Sequence, residues 1–286
     1  MCQLCYAPSS SSSSASSPRP WAARRAFLLA AGAAATAPVL AQVNVGEASR
    51  MRSLVPADKL ETAAAQQYSQ LLQQAQAQKA LAPESSPQLQ RIRGIASRLI
   101  PQAARWNDRA KAWRWEVNLI GSKSVNAFCM PGGKIAIFSG LVAAITPSDD
   151  ELAMVMGHEM AHALREHARA RIAKSQGTGA LLSLGAQLFG LGQLGDVAAN
   201  VGTQLITLKF SRDDEIEADL VGLELAARGG FNPEASVSLW QKMAKAGGGS
   251  SGGFLSTHPA GPERMHRLQE NIPRVRGLYR EAVARR

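Results

Sequence analysis

From Trp113 to Ile120 the apolar residues Trp113, Trp115, Val117 and Leu119 alternate with Arg114, Glu116 and Asn118, the period of two expected of a half-buried strand. A second strand is predicted over Lys134 to Ser139, after the turn Pro131-Gly132-Gly133, and the two together make a small antiparallel sheet. The rest of the pattern is helical. Val55 to Leu81 is rich in Ala and Gln, with Pro83 closing it, and Gln88 to Ile100 reads as a second helix. Ser148-x-x-Glu151 has the form of a capping box, in which each side chain satisfies a free backbone N–H at a helix start, and it opens a long helix from about Asp149 to Ser175 that stops near Gly177. Ser211-x-x-Asp214 opens another helix in the same style, ended by Gly229-Gly230, and Asn232 caps a third with Pro233 in its first turn. Gly247 to Gly253 is a flexible linker, a basic helix closes the chain, and there is no internal repeat. The expected fold is α+β and mainly α: one domain over residues 42–286, with its core at about 57–272.

The N-terminus reads differently. Residues 1–17 are serine-rich and cannot build a core, whereas Arg24 and Arg25 precede the apolar stretch Ala26 to Ala41, with Val39 and Ala41 placed as a signal peptidase requires. Rich in Ala and Gly and containing Pro38, that stretch falls short of the roughly 20 apolar residues of a membrane span, so residues 1–41 are expected to be a cleaved export signal and the protein periplasmic. The arginine pair fits both the general and the twin-arginine export routes. No cysteine follows the apolar run to carry a lipid anchor. Cys2 and Cys5 lie inside the leader without a second pair to complete a zinc site, which leaves Cys129 alone and excludes a disulfide-stapled fold.

Composition narrows the class further. With 45% hydrophobic residues the chain can fill a sizeable core, which excludes a disordered or collagen-like protein. The formal charge is +10, and since Arg19, Arg24 and Arg25 precede the first acid, Glu47, losing the leader leaves +7. Such an excess suits peripheral contact with an anionic membrane through the basic segments Arg91–Arg114 and Arg264–Arg286, while nucleic-acid binding is not expected. The uncharged stretch Thr178 to Gly195 fits a buried helical hairpin, a membrane-surface contact or a span, with its five glycines and two glutamines weighing against insertion.

Five histidines occur, at positions 158, 162, 167, 258 and 266. Two of them fall in His158-Glu159-Met160-Ala161-His162, an HExxH pattern on the long helix. At about 100° per residue the two imidazoles leave one face about 40° apart and can share a metal ion. Glu159 is offset by about 100°, so its carboxylate can lie beside the ion and act as a general base. The apolar flanks Leu152, Val155, Met156, Met160 and Leu164 place this helix in the interior. An open catalytic zinc site takes a third protein ligand, and Glu215 on the helix after Ser211 is the candidate. Asp219, one turn on, is placed to accept a hydrogen bond from the far nitrogen of a ligand histidine, with Ala218 and Gly222 allowing close helix packing. Asp213, Asp214 and Glu217 compete for these roles: the first two read better as acids of the helix's first turn, and Glu217 points away from Asp219. His167 and His266 read as surface positions among Arg and Ala, and Cys129 as a small buried hydrophobe.

Four motifs in this order carry a family resemblance: Met156-Gly157-His158-Glu159-Met160-Ala161-His162; Ser211-Arg212 followed by Glu215-Ile216-Glu217-Ala218-Asp219; Asn126-Ala127-Phe128 with Pro131-Gly132-Gly133; and Thr257-His258-Pro259 with Arg264. Over roughly Ala57 to Ile272 the chain resembles the HtpX-like zinc metallopeptidases, especially the soluble periplasmic members of LoiP and BepA type. The resemblance implies a helical zincin-like domain whose edge strand borders the active site, with one zinc ion per chain held by His158, His162 and Glu215 and with Glu159 as base. It also implies that Asn126, Ala127, Phe128, Gly132 and Gly133, with the strand through Ile137, form an edge to which a peptide adds as an extra strand. His258 would stabilise an oxyanion, latch the open metal position, or be an ordinary loop residue, and Arg264 would pair with a carboxylate of the site. The implied activity is endoproteolysis of unfolded or misassembled envelope proteins. The alternatives are a zinc-containing chaperone-like protein with a latched, weakly active site, and a membrane-docked scaffold.

Overall fold

The computed structural model describes residues 43–176, 205, 208–246, 254–259 and 261–286. The leader expected over residues 1–41, the uncharged stretch 178–195 and the linker 247–253 lie outside the described residues. Two helices come first: α1 (Ala57–Ala77), which buries Leu60, Ala64, Gln67, Tyr68 and Ala75, and α2 (Pro87–Leu99). Both bury residues at three- and four-residue spacing, so each covers the interior with one stripe. Pro87 sits at the first turn of α2, and the Ser86 side chain accepts a hydrogen bond from Leu89 N. Between α2 and the sheet the chain turns through two short 3-10 segments, Ile100–Arg105 and Asp108–Lys111.

The sheet has three strands, β1 (Glu116–Ile120), β2 (Ala127–Met130) and β3 (Lys134–Phe138), in the order β1-β3-β2. It is mixed, not antiparallel as expected from the sequence. β3 pairs parallel with β1, Val117 against Ile135 and Leu119 against Ile137, and antiparallel with β2, Ala127 against Ile137 and Cys129 against Ile135. The reason is topological: the chain reverses once into β2 and again into β3, so β1 and β3 point the same way. β1 also starts later than predicted, because Trp113 N bonds to Ala110 O in the preceding turn and the ladder opens with Glu116 N donating to Gly133 O. The turn Gly132-Gly133 needs φ of +83° and +77°, which glycine adopts freely, and a Cβ on Gly133 would meet the Trp115 ring at 2.7 Å.

Strand alternation buries the sheet on both faces. Val117, Leu119, Ala127, Cys129, Ile135 and Ile137 join the main core, while Phe128, Met130 and Ala136 pack with Tyr68 of α1. The main core is completed by α3 (Ser139–Ile145), α4 (Asp149–Leu164), α6 (Arg212–Arg228), α7 (Ala235–Ala246), the short α8 (Phe254–Thr257) and α9 (Pro262–Ala284). In α4 every residue from Glu151 to Leu164 is buried. Its capping box and that of α6 are formed in both directions.

The long helix predicted to Ser175 is two helices. α4 ends at Leu164, Glu166 adopts a left-handed φ of +58°, and α5 (His167–Gln176) sets off in a new direction. No glycine, proline or asparagine marks the break, which is why the pattern gave no warning of it. No helix among the described residues is long and apolar enough to cross a membrane.

Candidate metal centre and active site

Helix α4 carries His158, Glu159 and His162 into the core, and α6 crosses it at close range with Glu215 and Asp219 on the facing side. The crossing is tight because glycines meet in it: a Cβ on Gly157 would stand 2.8 Å from Gly222 O. Each of the five chemical side chains is at most 5% exposed.

His158, His162, Glu215 and His258 each offer a ligand atom within 4.8 Å of the others. The Nε2 atoms of His158 and His162 are 3.1 Å apart, and the Glu215 carboxylate lies 3.5 Å from each. His258, which follows α8, reaches in from a separate segment: its Nδ1 is 3.0 Å from Glu215 Oε1 and 3.3 Å from His158 Nε2, and its Nε2 is 3.6 Å from Glu159 Oε1. Phe254 stacks on the His258 ring at 4.5 Å and Phe210 on the His162 ring at 4.0 Å.

A second layer holds these groups. Asp219 Oδ1 is 2.9 Å from His158 Nδ1, which leaves His158 Nε2 turned toward the cluster. Arg264, from α9, donates to both Asp219 oxygens at 2.6 and 2.8 Å, and its Nη1 lies 2.8 Å from Glu215 Oε2, out of line for a hydrogen bond. The guanidinium also lies 4.0 Å above the Trp240 ring.

Burial pushes the Glu159 carboxyl above the ordinary glutamate range, although His258 and His158 partly oppose it, a direction that would suit a general base. For His158, burial works to lower the pKa, but the Asp219 and Glu215 carboxylates outweigh it and raise the ring to about 9. His162 is held well below its usual value by burial and by the neighbouring His158 ring. Asp219 and Glu215 titrate low despite burial, Asp219 through Arg264 and Glu215 through its histidine partners.

The donor set fits a metal ion. Imidazole nitrogens and a carboxylate oxygen are zinc ligands. Glu159 Oε1 and Glu215 Oε2 are fully buried without a hydrogen-bond partner, and such an acceptor ordinarily costs about 1–3 kcal/mol. A metal ion bound among these residues would give both oxygens a partner.

A narrow hollow opens beside Glu159, His162 and His258, walled by Ala127 to Pro131 of the β2 edge and by Leu205, Leu208 and Phe210. Of the strand residues singled out in the sequence, Ala127 and Phe128 line it. Asn126 instead turns the chain into β2, its Oδ1 accepting from Ala127 N, and Gly132 and Gly133 form the β2–β3 turn beside Glu61 and Trp115. Ile137 belongs to the central strand, not an edge, paired on both sides.

His167 is where the sequence reading fails. Expected on the surface, it is 3% exposed, and its Nδ1 lies 2.9 Å from His162 Nδ1. Glu217, read as pointing away, is ion-paired to Arg165 and lies 3.5 Å from His167 Nε2. His266 is exposed. Phe210, Phe254 and Trp240, which wall the histidines, carried no signal beyond ordinary core hydrophobicity.

An HExxH helix crossed by a second helix that brings in a glutamate is the site of a gluzincin-type metallopeptidase domain. Comparison with known proteins gives the same class. The chain belongs to peptidase family M48, whose family model matches residues 86–272. It is 39% identical over 174 residues to the mitochondrial metalloendopeptidase OMA1 of Arabidopsis thaliana, covering 60% of this chain and 35% of that protein. OMA1 of Schizosaccharomyces pombe is 36% identical over 163 residues, covering 56% and 47%. The metalloprotease LoiP of Escherichia coli K12 is 32% identical over 157 residues, covering 53% and 60%. The chain thus spans less than two thirds of the length of each of these relatives.

Proposed function

We propose that the protein is a zinc-dependent endopeptidase that cleaves unfolded or misassembled proteins of the cell envelope. The single observation that carries the chemistry is the convergence of His158, His162 and Glu215 beside Glu159, whose Oε1 is buried without a hydrogen-bond partner. These three residues would hold one zinc ion, which when bound supplies Lewis-acid polarisation of the scissile carbonyl and makes a water more acidic. Glu159 takes the proton of the attacking water on its carboxylate and returns it to the departing amine. Asp219 accepts a hydrogen bond from His158 Nδ1–H and so keeps Nε2 free to ligate, while Arg264 keeps Asp219 and Glu215 anionic. An extended substrate pairs with the β2 edge and places its backbone over Glu159, and the apolar walls of the hollow keep bulk water out. Recognition through main chain suits an enzyme that should cut what has already unfolded.

The envelope assignment, with export of residues 42–286 as one domain, is supported by the leader-like pattern at Arg24 to Ala41. The relatives' names give no common compartment, since several are mitochondrial. The position of His258 inside the ligand group favours a second reading, a zinc-containing chaperone-like protein whose site is latched. Glu159→Gln separates the two. A peptidase keeps about one zinc per chain and loses casein cleavage by roughly 10²-fold or more, the scale of general-base catalysis. A Gln variant that still digests casein would remove Glu159 as the base.

A further inference from the structure

His167 is the one histidine of the cluster's surroundings to which the proposed mechanism gives no task. We propose that it is a positioning residue for His162, whose ring and tautomer it fixes through an imidazole–imidazole hydrogen bond. The inference rests on the proposed metal site, because it concerns how one of that site's ligands is held.

The geometry leaves few options. His162 Nε2 faces the cluster, so a His162 that ligates through Nε2 carries its proton on Nδ1. That nitrogen lies 2.9 Å from His167 Nδ1, and one proton serves the pair: His162 donates and His167 accepts. An accepting Nδ1 puts the His167 proton on Nε2, and this nitrogen is buried 3.5 Å from a Glu217 oxygen and 4.0 Å from an Asp214 oxygen, close enough for electrostatic attraction but hydrogen-bonded to neither. Glu217 is held in turn by Arg165, whose Nη2 also donates to Gly46 O at 2.8 Å. The two ligand rings are therefore oriented differently, His158 by a carboxylate in direct contact and His162 by a neutral ring backed by carboxylates.

The backbone is shaped for this contact. On an unbroken helix, position i+5 lies about 140° around from position i, which would point His167 away from His162. The left-handed Glu166 ends α4 and swings the next residue back onto the site, a conformation uncommon for a residue with a side chain. Phe210, stacked 18° from parallel on the His162 ring, closes the other side, so ring plane and ring rotation are both fixed.

The test compares zinc affinity, by competition with a chromogenic chelator, in wild type, His167→Gln, His167→Phe and His167→Leu of the mature chain. Gln keeps an acceptor, whereas Phe and Leu fill the space without one. The expected result is a loss of about 10–100-fold for Phe and Leu, the usual scale for losing a ligand's hydrogen-bond partner, with Gln restoring affinity to within a few-fold. Melting temperatures in the presence of chelator should agree among the folded variants. Affinity equal to wild type in Phe and Leu overturns the proposal. A second measurement needs no variant: imidazole nitrogen NMR of the zinc-loaded wild type should find His167 protonated on Nε2, and protonation on Nδ1 refutes the inference. A wild-type chain that takes up no zinc would instead bring down the metal-site reading itself.

Discussion

Gly157 and Gly222 touch backbone to backbone where α4 crosses α6: a Cβ on Gly222 would lie 2.6 Å from His158 N and 2.8 Å from Gly157 C. Neither atom can move without moving the helix that carries His158 and His162. Gly222 follows Glu215 and Asp219 along one face of α6, so whatever separates the helices there also withdraws both carboxylates from His158 and His162. Gly222→Ala should cost about 1–3 kcal/mol of stability through overpacking and lower zinc affinity at least tenfold. Denaturant midpoints and zinc competition read the two effects separately. Undiminished zinc affinity in the Ala variant would mean that the crossing does not set the site.

At the start of α4, Glu151 is buried and holds three donors: Ser148 N at 2.8 Å and Lys242 Nζ at 2.7 Å on one oxygen, Ser238 Oγ at 2.8 Å on the other. Burial raises its pKa, but these hydrogen bonds outweigh it and leave the folded value below the ordinary glutamate value. A depressed carboxylate stabilises the fold above its unfolded pKa of about 4.3, and the contribution is lost as pH falls through the folded value. Glu151→Gln should therefore cost about 1–3 kcal/mol at pH 7, with the gap to wild type closing as the pH drops below about 4. Urea unfolding across that range checks it, and a gap independent of pH would show that the charge is not responsible.

The parts of the fold and site that could be read in the sequence are those set by local spacing. HExxH places two rings on one helical face whatever the tertiary structure, and Ser148-x-x-Glu151 and Ser211-x-x-Asp214 announce helix starts through bonds confined to four residues. What was misread depends on where the chain goes next. The parallel pairing of β1 with β3 follows from β2 reversing the chain between them, which alternation within each strand cannot reveal. His167 was misplaced because a helix drawn straight through Glu166 turns it outward, and the residue that breaks that helix is one that rarely takes a left-handed conformation.

His258 reaches the cluster on a separate segment that is anchored by Phe254, whose backbone N–H donates to Val125 O at 2.6 Å. With Nδ1 3.0 Å from Glu215 Oε1 and Nε2 3.6 Å from Glu159 Oε1, the ring stands between these two carboxylates, where substrate and water would enter under the proposed mechanism. His258→Ala should keep zinc and raise basal casein cleavage several-fold. An unchanged or lowered rate eliminates the latch, and a lowered rate assigns His258 to stabilising the oxyanion.

Removal of the metal should be felt by the whole domain, because the residues that would grip it are buried and come from both sides of the main helix crossing. Binding to the folded state alone adds RT ln(1 + [L]/Kd), about 4 kcal/mol when free zinc exceeds Kd a thousandfold. At about 2–4 °C per kcal/mol for a domain of this size, EDTA should lower the melting temperature by roughly 8–16 °C. Glu215→Ala removes a proposed ligand and should melt at nearly the same temperature with and without chelator. Glu159→Gln leaves the ligand set intact and should show the full wild-type drop even though it is inactive. That contrast distinguishes a ligand from a base without any measurement of turnover. A Glu159→Gln variant that had lost the zinc-dependent stabilisation would place Glu159 among the ligands and require another group to move the proton.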